Sequence, residues 1–156
     1  MKIKIYSRAA MRARIREGKL DNTAVISFYD PESGRTPKDY HRLEYGDCCD
    51  RVFYVPIHDI DLEILGEYGL TFDDYFPEVT ELAQFVHSAI EDGVDIICQC
   101  EYGQSRSAAC AAAIREHFFG DGIEVFADYR YYPNQLIMAE ARLKRALVRS
   151  SVASGR

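Results

Sequence analysis

The chain has 156 residues, 47% apolar and 28% charged, with a formal net charge of −6. That length and balance fit one globular domain with an ordinary core, and the acidic excess argues against a general nucleic-acid or anionic-membrane binder. No run of about 18 apolar residues occurs, so no membrane span is expected.

Residues 2–6, "KIKIY", alternate as a short strand. Ser7 is placed to cap a helix from Arg8 to Glu17, with Gly18 just past its end. "TAVISFYD" (23–30) is β-branched and aromatic, hence a strand. Residues 31–50 read as a loop, and "RVFYVPI" (51–57) as the next strand. Residues 58–76 are acidic and read as a long irregular loop with one helical turn. Pro77 opens a helix in which Val79, Leu82, Ala83, Val86 and Ile90 share one face; His87 falls on the polar side and is expected to be exposed. "VDIICQC" (94–100) is a compact apolar run typical of a strand buried on both faces. "SRSAACAAAIREHFFG" (105–120) is a helix whose small residues allow close packing, and "PNQLIMAEARLKRALV" (133–148) is a final amphipathic helix. The order implies an α/β three-layer sandwich, with a mostly parallel central sheet flanked by helices. We expect a single domain over 1–148 and a flexible tail over 149–156.

The start, "MKIKIYSRAAMRARIREG", lacks the apolar core and cleavage site of a secretory signal. Five cysteines, an odd number, suggest reduced thiols in a cytoplasmic protein. Neither Cys48-Cys49 nor Cys98-x-Cys100 has the usual C-x2-C spacing, so no metal is expected.

The chemistry concentrates in "CQCEYGQSRSAAC" (98–110). A buried strand ends at Cys100 and a helix begins near Ser105. A tight turn at a helix N-terminus aims backbone N–H groups into one concavity, where the helix dipole adds positive charge. Arg106 supplies a planar fork that matches two phosphate oxygens. Gly103 permits a positive φ and close access to the backbone. The donors that cradle a phosphate also stabilise a thiolate. Cys100 is therefore the candidate nucleophile, Glu101, Tyr102, Gly103, Gln104, Ser105 and Arg106 the candidate phosphate-binding residues, and Ser107 a donor to the sulfur.

"CEYGQSRS" resembles the C-x5-R-[ST] signature of the cysteine-dependent protein tyrosine phosphatases. The Gly three after the Cys and the "SRS" ending resemble the dual-specificity branch. The strong match covers residues 100–107, and looser agreement in element order runs from about 51 to 120. The resemblance implies a dual-specificity-phosphatase-like fold and hydrolysis of phosphate monoesters through a cysteinyl-phosphate, without cofactor or metal. Phosphotyrosine in a protein is the expected substrate, with phosphoserine, phosphothreonine, a phosphoinositide or a nucleotide as alternatives. The chain departs from the pattern in one place: the family usually has His before the Cys, and Gln99 stands here. A glutamine can hydrogen-bond but cannot titrate.

The resemblance also implies a general acid, an Asp on a loop upstream. "VPIHD" matches the family's strand-end pattern and selects Asp59, with Asp61 as the offset alternative. Asp73 and Asp74 read as solvated or capping residues, and His58 as a rim or surface residue. His41 and His117 show no partner spacing. Cys98 points to the same face as Cys100 and is read as core rather than as a redox partner; Cys110 is read as core too. "DYRYYPNQ" (128–135) places three tyrosines before the last helix, either near the cleft or in packing, and Asn134 reads as a helix cap. Two other classes stay open. One is a phosphate-binding module without turnover; the other is a rhodanese-type sulfur transferase, whose loop commonly lacks the Arg-Ser ending.

Overall fold

The computed structural model describes residues 1–71, 73–138 and 146–148. Four strands, β1 (Ile3–Ser7), β2 (Thr23–Tyr29), β3 (Val52–Pro56) and β4 (Asp95–Cys100), form one sheet in the order β1-β4-β2-β3. Every neighbouring pair is parallel. The helices are α1 (Arg8–Arg16), α2 (Val79–Glu91), α3 (Arg106–Phe119), α4 (Ile123–Ala127) and α5 (Gln135–Met138). The three-layer α/β sandwich expected from the sequence is the observed fold.

The pleat of β4 divides the two cores. Ile96, Cys98 and Cys100 face a cluster with Leu82, Ala83 and Val86 of α2, Ala109, Cys110 and Ile114 of α3, and Leu136 and Ile137 of α5. Ile97 faces the other side, with Met11 of α1, Leu20, Leu43 and Tyr45. Alternating side-chain direction thus lets one strand serve both layers. Ser7 caps α1 by accepting from the Ala10 N–H at 3.1 Å. In α3, residues 106–114 are all buried, and the alanines bring this helix close to the sheet.

Several expectations need correction. The helix after Pro77 begins at Val79, because Pro77 and Glu78 form a turn. His87 is buried, not exposed: its Nε2 lies 2.7 Å from the Leu147 carbonyl, and its ring packs edge-on to Phe118. It follows Ala83 by one helical turn and so belongs to the apolar face. Residues 62–68 form a 3-10 helix ending at Gly69, longer than the single turn expected. The last helix starts at Gln135 rather than 133; residues 139–145 and the expected tail, 149–156, lie outside the described residues. Helix α4 was not foreseen. It docks where Gly122 lies so close to α3 that a Cβ would meet the Ala112 carbonyl at 2.5 Å.

Candidate active site

The carboxyl ends of β1, β2, β3 and β4 meet the N-terminus of α3, the usual place for a ligand in a parallel sheet. β4 delivers Cys100, which is 1% exposed. Its Sγ lies 3.0 Å from Ser107 Oγ in the first turn of α3. Between them the loop turns at Gly103, whose φ is +69°. A Cβ on Gly103 would lie 2.6 Å from the Ser7 backbone nitrogen, so the loop presses directly on the β1–α1 junction. The Arg8 N–H donates to the Glu101 carbonyl at 3.0 Å and clamps the same contact. Among the described residues, no backbone carbonyl accepts from the N–H groups of Glu101, Tyr102, Gly103, Gln104 or Ser105.

Arg106 is 2% exposed. Its Nη1 donates to Asp30 Oδ1 at 2.7 Å and to the Ile57 carbonyl at 2.6 Å. Its Nε is buried and has no hydrogen-bond acceptor among the described residues; the nearest anion is Asp59 Oδ2 at 3.9 Å. One side of the fork is thus anchored by protein and the other is not. A buried donor without an acceptor is uncommon and calls for an explanation.

Asp59 lies over the loop. Its Oδ1 accepts from Ser105 Oγ at 2.6 Å and from Asn134 Nδ2 at 2.8 Å. Asp61 instead begins the 3-10 helix, and its backbone carbonyl accepts from Ile64. Tyr75 buttresses this segment by donating to the His58 carbonyl at 2.6 Å. Burial pushes the His58 imidazole below its ordinary value, opposed by Asp30, whose carboxylate lies 3.9 Å away. Asp74 accepts from Thr71 Oγ1 at 2.5 Å in a local turn.

Gln99 precedes Cys100, lies on the α1 side of the sheet and is 2% exposed. Its Oε1 accepts from Ser27 Oγ at 2.7 Å and Tyr45 Oη at 3.1 Å, and its Nε2 donates to the Cys100 carbonyl at 2.8 Å. Burial pushes the Tyr45 hydroxyl well above its ordinary value.

No protein-family model matches the chain, and no curated protein matches it. A solved structure, PTPMT1 in complex with PI(5)P, matches with a TM-score of 0.53 over 99% of this chain and 95% of that one, at 11% identity. The chain has a dual-specificity-phosphatase-like fold. At that identity the likeness is one of fold, and the chemistry must be read from the side chains above.

The structure thus gathers Cys100, Ser107, Arg106 and Asp59 around one loop. It separates Asp61 from them. Of the loop residues, Tyr102 projects outward at 76% exposed, and Glu101 is held toward Arg8, 3.9 Å from its Nε. Cys98 and Cys110 are buried in the core beside Cys100; a hydrogen bond with Cys110, then burial, pushes the Cys98 thiol up. All five cysteines are free. Among the described residues no cluster of His, Cys, Asp and Glu could hold a metal, and no helix is long and apolar enough to cross a membrane.

Three participants escaped the sequence reading. Asp30 is the last residue of "TAVISFYD"; its place at the carboxyl end of a parallel strand was the available signal. Ser27 and Tyr45 lie far from Gln99 in sequence, and no spacing rule connects them. Asn134 does cap α5, accepting from the Leu136 and Ile137 N–H groups at 2.9 and 3.1 Å. Its contact with Asp59 was not foreseen.

Proposed function

We propose that the chain hydrolyses phosphate monoesters through a cysteinyl-phosphate intermediate, with Cys100 as nucleophile, Arg106 and the 101–106 loop as phosphate cradle, and Asp59 as general acid. One observation carries the reading: the turn that joins Cys100 to α3 holds the buried Arg106 Nε and the N–H groups of residues 101–105, for none of which the described residues supply a backbone acceptor. An anion bound there would supply the acceptors that the protein does not.

The reaction passes through two displacements at phosphorus. The Cys100 thiolate forms an S–P bond while the bond from phosphorus to the leaving oxygen breaks, and that oxygen takes a proton from Asp59. Water then attacks phosphorus and yields a proton to Asp59. The S–P bond breaks, inorganic phosphate leaves, and Ser107 donates a hydrogen bond to the departing sulfur. The cradle holds the equatorial oxygens throughout.

Phosphotyrosine in a protein is the proposed substrate, because the nucleophile is deep and a long aromatic ester reaches it. The loop "EYGQS" contains no lysine, and Glu101 adds negative charge, which disfavours highly anionic esters. The complex of PTPMT1 with PI(5)P makes a singly phosphorylated inositol ring the comparison substrate. Gln99 in place of the family's His favours a second reading, a phosphate-binding module without turnover.

The test is hydrolysis of p-nitrophenyl phosphate between pH 5 and 8, in EDTA and reductant, by wild type and Cys100→Ser. Turnover that disappears in the variant is expected. Asp59→Asn should lower kcat by about 10²–10⁴-fold, and Asp61→Asn should leave it near wild type. Phosphate binding by a folded wild type that shows no turnover on this ester, on a phosphotyrosyl peptide or on PI(5)P would overturn the enzyme and leave the binding module.

A further inference from the structure

Asn134 joins three separate parts of the molecule. It is 4% exposed. Its Nδ2 donates to Asp59 Oδ1 at 2.8 Å and to the Ile60 carbonyl at 3.1 Å. Its Oδ1 accepts from the first N–H groups of α5, at 2.9 and 3.1 Å. Its own backbone N–H donates to the Ser105 carbonyl at 3.2 Å, and the Tyr132 N–H to the Gln104 carbonyl at 2.8 Å. One buried amide therefore ties the 59–60 segment and the start of α5, and its backbone ties both to the loop that follows Cys100. An ordinary cap needs only the Oδ1 contacts. The two Nδ2 contacts are extra and both end on the segment that carries Asp59.

We infer that Asn134 is a positioning residue for the general acid. It fixes the Asp59 carboxyl over the phosphate cradle, with Ser105 Oγ donating to the same oxygen at 2.6 Å. The inference rests on the phosphatase reading above. Its logic is geometric: a proton donor acts only when held within hydrogen-bond reach of the leaving oxygen. The 3-10 stretch beyond Asp59 offers no regular ladder to hold the carboxyl there.

A role through the acid has a signature that a merely structural role lacks. An acid matters when the leaving group is a poor one and hardly matters when it is a good one. The experiment measures kcat/KM for phenyl phosphate and for 2,4-dinitrophenyl phosphate, in wild type, Asp59→Asn, Asn134→Ala and Asn134→Asp. The aspartate variant keeps an acceptor for the α5 amides but replaces the donor by a carboxylate that repels Asp59, so it breaks the contact to Asp59 while retaining the cap. Asn134→Asp is expected to lose about 10- to 100-fold on the phenyl ester, part of the range an acid supplies, and less than about threefold on the dinitrophenyl ester. Asp59→Asn should show the same split to a greater degree. An equal fall on both esters, or no fall in a folded Asn134→Asp, would overturn the inference while leaving the phosphatase intact. Absence of turnover in wild type on both esters, on a phosphotyrosyl peptide and on PI(5)P would overturn the underlying reading, and the inference with it.

Discussion

Gln99 shows how much a single buried side chain can organise. Its amide takes two hydroxyl donors, Ser27 and Tyr45, and gives one proton to the Cys100 carbonyl. Removing it takes the shared acceptor from both hydroxyls, which keep only the 3.3 Å bond from Tyr45 Oη to Ser27 Oγ, and leaves that carbonyl without its donor in a dry interior; an unsatisfied buried polar group costs about 1–3 kcal/mol. Gln99→Leu should therefore lower unfolding free energy in urea by at least that amount, whereas Tyr45→Phe, which leaves Ser27 on the same oxygen, should cost less. Equal stability of Gln99→Leu and wild type would show that the network contributes nothing. Gly103 is constrained differently. At φ +69° any other L-residue is strained by about 1–2 kcal/mol. Here the added Cβ also meets backbone, at 2.6 Å from the Ser7 nitrogen, and backbone cannot swing aside. Gly103→Ala should weaken inorganic phosphate as a competitive inhibitor by tenfold or more, read from Ki, as the loop lifts off the β1–α1 junction.

At the scale of elements, α3 depends on being thin. Ala109 is fully buried in the cluster shared with β4, α2 and α5. Ala109→Leu would push α3 from the sheet at an overpacking cost of about 1–3 kcal/mol, measurable as a lowered thermal midpoint, and would displace Arg106 at the helix's own first turn. The sequence made this helix legible, along with β1, α1, β2, β3 and β4, because each carries a period or a punctuation mark: alternation in "KIKIY", Ser7 before α1, glycine after α2. Helix α4 was hidden because "IEVFA" is too short to display a period and follows two glycines, Gly120 and Gly122. The site divides in the same way. Cys100, Arg106 and Ser107 are close in sequence and were visible as a motif. Asp59 needed a family resemblance. Asp30, Ser27 and Tyr45 reach the site only through strand register and loop packing, which a single sequence does not encode in any local spacing.

For the molecule as a whole, buried phenols set an alkaline limit. Burial pushes the hydroxyls of Tyr45 and Tyr75 well above their ordinary value, and those of Tyr40 and Tyr54 less strongly. Below about pH 10 these groups are neutral in both folded and unfolded chains and exert no pH dependence. Above it the unfolded chain ionises while the folded chain resists, so the folded state binds more protons and stability falls as pH rises. The urea midpoint should decline through pH 10–11, and Tyr45→Phe should flatten the decline; an unchanged slope in that variant would exclude Tyr45 as a contributor.

The strand order β1-β4-β2-β3 also bears on how the chain is born. The strand that ends in Cys100 is the last of the four to leave the ribosome, yet it occupies an interior slot between the first two. Until residues 95–100 have been synthesised, β1 and β2 each wait with an open flank, and no partial sheet can join them. Cys100 is therefore not added to a finished scaffold. The same insertion that closes the sheet delivers the cysteine, so a chain that stops short of Asp95 is left with two unpaired, sticky edges, the condition that favours aggregation over folding.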